Sequence, residues 1–141
     1  MAEIPAKSFI RAKKKSDNIK MTYQMIMSIL AIHWIGDFVL QSDWQAKNKS
    51  KDNRALVAHV SGYTIALLVY GLIFLPVEIA YPWALTNGVI HFGVDYVTSR
   101  INTYLWNNGR VHDFFVMVGF DQLIHYACLF GLMFLIGLPN V

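Results

Sequence analysis

A histidine and an aspartate stand four residues apart in three separate apolar runs of this chain, as His33/Asp37, His91/Asp95 and, in reversed order, Asp121/His125. That recurrence restricts the fold more than any other feature. On an α-helix a spacing of four stacks both side chains on one face, about 6 Å apart along the axis. Gln41 continues the first series by one more turn, and the remaining apolar run contributes His59.

The runs cover roughly residues 21–40, 55–75, 83–105 and 114–138, each close to the ~20 residues that cross a ~30 Å hydrocarbon core. With 55% hydrophobic and 15% charged residues and a mean hydropathy of +0.39, the chain stands outside the soluble average. The predicted fold class is all-α: an integral membrane bundle of four transmembrane helices with a polar His/Asp core. Residues 21–141 form it, behind a basic, flexible arm at 1–20. The arm holds Lys7, Arg11, Lys13, Lys14, Lys15 and Lys20 against Glu3 and Asp17, and each cation near an anionic bilayer is worth about 1 kcal/mol. Its one aromatic is Phe9, which argues for headgroups over nucleic acid as its partner. The first run is too long for the apolar part of a signal peptide and contains Asp37, so it is expected to stay in the mature protein. The single cysteine, Cys128, excludes an internal disulfide and a cysteine-based zinc site.

Punctuation between the runs follows from local chemistry. The polar connector 42–54 offers Asp52 or Asn53 as the N-cap of the second helix, which Pro76 should end. Glu78 falls in the turn that follows, and Pro82 suits the first turn of the third helix. That helix also carries Thr86, Asn87, Thr98, Ser99 and Arg100; as the most polar of the four it should be the most enclosed. Asn107-Asn108-Gly109 marks a turn, after which His112 and Asp113 open the fourth helix, Asp113 as a capping group rather than a ligand. Tyr23, Tyr81 and Trp83 are expected at one membrane boundary, Trp44, Tyr104 and Trp106 at the other. Orientation stays open, because either choice places six Lys/Arg in the cytoplasm.

The order of the motifs tracks helix direction. The first and third helices run toward the face that bears the 42–54 connector, and the fourth runs away from it. Reversing the fourth motif therefore returns its aspartate to the same depth as the others. The expected result is a layer of carboxylates (Asp37, Asp95, Asp121) above a layer of imidazoles (His33, His91, His125), with His59 near the carboxylate level. Each aspartate at a helix centre costs roughly 2.5 to 3.5 kcal/mol, against a typical total stability of about 5 to 15 kcal/mol. The carboxylates must therefore be paired, protonated or metal-bound. Gly36, Gly62, Gly88, Gly93 and Gly119 are expected to let the helices approach closely. Imidazole and carboxylate suit zinc, manganese or iron. The seven candidate ligands, His33, Asp37, His59, His91, Asp95, Asp121 and His125, suffice for one or two divalent ions, a pair standing about 3.5 to 4 Å apart. A structural or proton-carrying polar network is the alternative.

The pattern H-x-x-G-D-F-x-x-Q-x-D-W (His33, Gly36, Asp37, Phe38, Gln41, Asp43, Trp44), followed by K-N-K-S at 47–50, His59, His91/Asp95 and Asp121-Gln122-x-x-His125, resembles the small bacterial and phage membrane proteins grouped as domain of unknown function 3307. The resemblance covers about residues 28–136 and implies a helical integral membrane protein without pointing to an activity; the expected location is the bacterial inner membrane. More loosely, the repeated motif is similar to that of membrane-bound metal-dependent hydrolases.

The expected function is a membrane-embedded metal-dependent hydrolase, with Asp37, Asp95 and Asp121 as the catalytic carboxylates and whichever of them holds no metal as general base. Its mouth faces Lys47, Lys49, Lys51, Arg54 and Arg110, which favours an anionic lipid or lipid-linked (phospho)ester. Gln41, Asp43, Lys47, Arg54 and Gln122 are candidates to orient ligands or touch substrate. The competing expectation is a non-enzymatic small membrane protein that binds or conducts ions, or fixes helix register. Its partners would be membrane lipids, a second copy of the chain, or a host or phage membrane complex.

Overall fold

A computed structural model describes residues 23–135, which form five helices and, among the described residues, no strand. They are α1 (Tyr23–Val39), α2 (Asp43–Asn48), α3 (Asn53–Phe74), α4 (Val77–Asn107) and α5 (Val111–Leu135). The basic arm expected at 1–20 and the end of the last apolar run lie outside the described residues.

Local chemistry sets the boundaries. Asp52 caps α3 by accepting from the Arg54 backbone N–H at 2.8 Å, as its position predicted. The helix stops just before Pro76. Within the polar connector the chain forms a further helix that the charge pattern obscured. Ser42 Oγ accepts from Gln45 N, and Gln45 Oε1 from Ser42 N, a capping box that starts α2.

The third long helix is a correction. Pro76, not Pro82, stands at its N-cap, Glu78 lies in its first turn, and Pro82 sits inside it. Proline at the sixth residue deletes one hydrogen bond near the open end of the helix. The earlier start moves Trp83 inward. It is fully buried, its indole N–H directed at the Leu129 carbonyl, instead of lying at a membrane boundary. Tyr23, Tyr81, Trp44, Tyr104 and Trp106 are all exposed.

α1 is not uniformly α-helical. Its last five residues, Ile35–Val39, form a π-helical turn closed by Leu40 N to Ile35 O at 2.9 Å. Gln41 therefore lies beyond the helix, not on a continuous α-helical face with His33 and Asp37.

Two of the expected close approaches are present. A Cβ on Gly88 would collide with the Thr64 hydroxyl of α3, and one on Gly36 would lie 3.0 Å from the Tyr63 ring. Gly71 adds a third, with Ala80 3.1 Å from such a Cβ. Gly62, Gly93 and Gly119 have nothing within 4 Å at this position and do not serve helix contact.

The apolar core, including Ile29, Leu67, Tyr70, Trp83 and Leu129, is joined at Tyr63 to a polar interior of His33, Asp37, His59, His91, Asp95 and His125. Large apolar side chains such as Ile65 and Ile73 on α3, or Phe115, Leu123 and Phe134 on α5, point outward. Asn53–Phe74 and Val111–Leu135 are the two described helices long and apolar enough to cross a membrane.

Candidate metal centre

Four side chains from three helices converge on one point. The π turn delivers Asp37, α3 delivers His59, and α4 delivers His91 and Asp95 from successive turns of one face. His59 Nε2 lies 3.1 Å from Asp37 Oδ1, 3.3 Å from Asp95 Oδ2 and 3.2 Å from His91 Nε2. His91 Nε2 lies 3.4 Å from Asp37 Oδ1 and 3.7 Å from Asp95 Oδ2. Donors around a four-coordinate ion at ~2.0–2.2 Å stand roughly 3.3–3.6 Å from one another. The five separations, 3.1 to 3.7 Å, bracket that spacing, and all the ligand atoms lie within 4.8 Å of one another. All four residues are at most 4% exposed.

Asp95, Asp121 and His125 make a second group that could hold an ion. His125 Nε2 lies 3.3 Å from Asp95 Oδ1 and 3.4 Å from Asp121 Oδ1. Asp95 thus belongs to both groups, offering Oδ2 to the first and Oδ1 to the second. A Tyr63–His91–His125 ring stack, with centroids 3.9 and 4.2 Å apart, fixes the imidazole planes. His91 Nδ1 is buried without a protein partner, so a metal on its Nε2 would leave an N–H there without an acceptor. The donor set itself, imidazole and carboxylate, is one that divalent ions accept.

His33 stands apart. Its Nε2 is directed at Gln122 Oε1 (2.9 Å) and its Nδ1 at the Tyr63 hydroxyl (3.1 Å). It belongs to neither group of ligand atoms. Gln122 is the knot it ties into, because Nε2 of the same amide donates to Asp37 Oδ2 at 2.9 Å and to Asp121 Oδ2 at 3.2 Å. His33 and Gln122 therefore orient two carboxylates. Gln41 holds His59 from the far side, its Nε2 amide donating to Nδ1 at 3.1 Å, which places the imidazole proton on Nε2; a metal on Nε2 would require that amide turned to present its oxygen. Thr98 Oγ1 donates to Asp121 Oδ1 at 2.7 Å.

Among the connector residues, Lys49 is the one that enters the interior. Its Nζ lies 2.8 Å from Asp95 Oδ2, and its side chain is 18% exposed. Sequence gave no means of choosing it from Lys47 and Lys51. Tyr63 did leave a signal, standing four residues after His59 on the same helical face. Asp43 points away, its side chain 97% exposed beside Lys47; Arg54 is exposed at the start of α3. Asp113 pairs with Arg110 at 2.7 Å, outside both ligand groups.

A cavity of about 680 Å³ leads from the connector face to the site. Lys47, Lys51 and Trp106 are among its lining, with Lys49, and Asp37, Asp121 and Gln122 bring it to the carboxylates.

These features define a small all-helical protein with two membrane-length apolar helices and a buried His/Asp cluster that could hold a metal ion. The chain belongs to the family described as protein of unknown function (DUF3307), whose model matches residues 25–139. No curated protein and no solved structure matches it.

Proposed function

We propose that the chain is a four-span protein of the bacterial inner membrane and a metal-dependent hydrolase acting on an anionic lipid or lipid-linked (phospho)ester. Four spans are supported by what α4 hides and shows. Its Asp95 is 1% exposed, whereas Leu85, Val89 and Val97 are 53% exposed or more, so its charge faces protein and its apolar side faces outward. α1, at 17 described residues, spans about 26 Å.

The observation that carries the metal is the set of five separations between 3.1 and 3.7 Å among Asp37, His59, His91 and Asp95. A divalent ion there, with or without a second on Asp95, Asp121 and His125, would lower the pKa of water toward ~7 and polarise an ester oxygen. Asp121, at 9% exposure and on the cavity wall, takes the proton of an attacking water when the second group is empty. The lysines at the mouth hold the anionic headgroup, and Gln122 keeps Asp37 and Asp121 in register.

The second reading, a non-enzymatic protein with a self-contained polar network, has one observation in its favour: Lys49 already supplies Asp95 with a protein-borne countercharge. Elemental analysis of protein purified in mild detergent separates the two. Stoichiometric zinc, manganese or iron that falls sharply in Asp37→Asn and Asp95→Asn, and in Asp121→Asn too where the second group is filled, with helicity kept, is expected for the hydrolase. Metal-free wild type whose thermal stability ignores a chelator, with all three variants equally stable, would end it.

A further inference from the structure

The cavity has a chemical preference of its own. Three cations, Lys47, Lys49 and Lys51, contribute to its lining. Two of its wall residues are unfinished: Ser99 Oγ and Asn102 Oδ1 are buried and have no hydrogen-bond partner. Ser99 as a whole is 9% exposed. A buried acceptor left without a donor is destabilising, and native interiors leave few such groups without a role. Both residues lie on α4 about one turn apart, following Asp95 toward the connector end of the helix, and line the same cavity as the lysines.

We propose that this cavity binds a phosphate ester whose headgroup also carries a free hydroxyl, a polyol phosphate. The phosphate meets the lysines, which reject a headgroup bearing its own ammonium. The hydroxyls meet the α4 wall, where Asn102 Oδ1 accepts and Ser99 Oγ accepts or donates once these two side chains turn from their buried positions toward the cavity they line. Phe38 and Phe115, 46% and 63% exposed at the cavity's edge, give an acyl chain an apolar way out toward the bilayer. This deepens the function proposed above and rests on it for the chemistry at the floor, where the ester would meet Asp37 and Asp121.

The test uses full-length protein in nanodiscs or mild detergent, with native mass spectrometry as the readout. Phosphatidylglycerol is compared with phosphatidylmethanol, which is equally anionic but lacks the hydroxyls, and with phosphatidylethanolamine. Soluble glycerol 3-phosphate serves as the separate, lipid-free arm. Phosphatidylglycerol is expected to bind about tenfold more tightly than phosphatidylmethanol, and phosphatidylethanolamine more weakly than either. The paired change Ser99→Ala/Asn102→Leu should erase the first difference and leave phosphatidylmethanol binding as it was. Lys47→Gln/Lys51→Gln should weaken both anionic lipids alike. Tight binding of glycerol 3-phosphate with no lipid preference would keep the polyol phosphate and make its source soluble. Equal binding of the two anionic lipids together with no glycerol 3-phosphate binding, or a hydroxyl preference that survives Ser99→Ala/Asn102→Leu, overturns the proposal. Metal content measured on the same samples separates the two ideas: metal-free protein that still discriminates hydroxyls loses the hydrolase alone, and metal-loaded protein that does not loses this inference alone.

Discussion

Asp95 is the residue that both ligand groups share, its two oxygens facing His59 and Lys49 on one side and His125 on the other. Asp95→Asn should accordingly remove more bound metal than Asp37→Asn or Asp121→Asn, each of which belongs to one group. A chelator-competition titration reads the ranking; equal losses in all three would deny Asp95 its bridging place. His33 makes a different forecast. Because both its nitrogens face protein groups, His33→Gln should keep metal stoichiometry and weaken affinity about 10- to 100-fold, whereas His91→Gln should lower the stoichiometry itself. The spacing of four placed His33 with the ligands, and nothing in the sequence could have moved it. Its exclusion depends on Gln122 and Tyr63, which are 89 and 30 residues away. Asp37, His59, His91 and Asp95 were legible because helical periodicity and alternating helix direction fix depth and facing without knowledge of any partner.

At the level of elements, the chain's long helices could be read from apolar runs, but their register could not. Pro82 resembles a helix start by local rule, yet Pro76 offers the same signal six residues earlier and packing of Ala80, Trp83 and Ala84 into the core rewards the longer helix. The π turn at Ile35–Val39 leaves no mark that separates it from α-helix; it is visible only through the Leu40 to Ile35 hydrogen bond. π turns recur where a helix must re-aim a functional side chain, and this one carries Asp37. The contact between α3 and α4 is testable through Gly88. Gly88→Ala should push against Thr64 and destabilise by about 1 to 3 kcal/mol, with partial rescue by Thr64→Ala; Gly93→Ala and Gly119→Ala, which meet nothing, should be silent. Thermal unfolding in detergent measures all four, and a silent Gly88→Ala would mean that the helices cross elsewhere.

For the whole molecule, apolar side chains outside and charges inside predict a definite threading. In a cysteine-free background, Ser42→Cys and Asn108→Cys should label from one side of the membrane, and Tyr23→Cys and Glu78→Cys from the other. Labelling of Glu78→Cys and Asn108→Cys from the same side would remove α4 from the set of spans.

Lys49 changes what it means for this site to be filled. An ion arriving at Asp95 Oδ2 finds an ammonium 2.8 Å from that oxygen, so loading is an exchange of one cation for another, not an addition to a waiting cage. Asp95 is thereby charge-paired before any ion arrives, in contrast to domains whose folding waits for the metal. The apparent affinity of a metal there would be lower than the four donors alone would give, by the free energy that the lysine surrenders on leaving. Lys49→Met should therefore fill at a lower ion concentration while melting earlier when empty. With the lysine in place, occupancy by a metal would follow the local supply of the ion, and what looks like a strut would be the setting of a threshold.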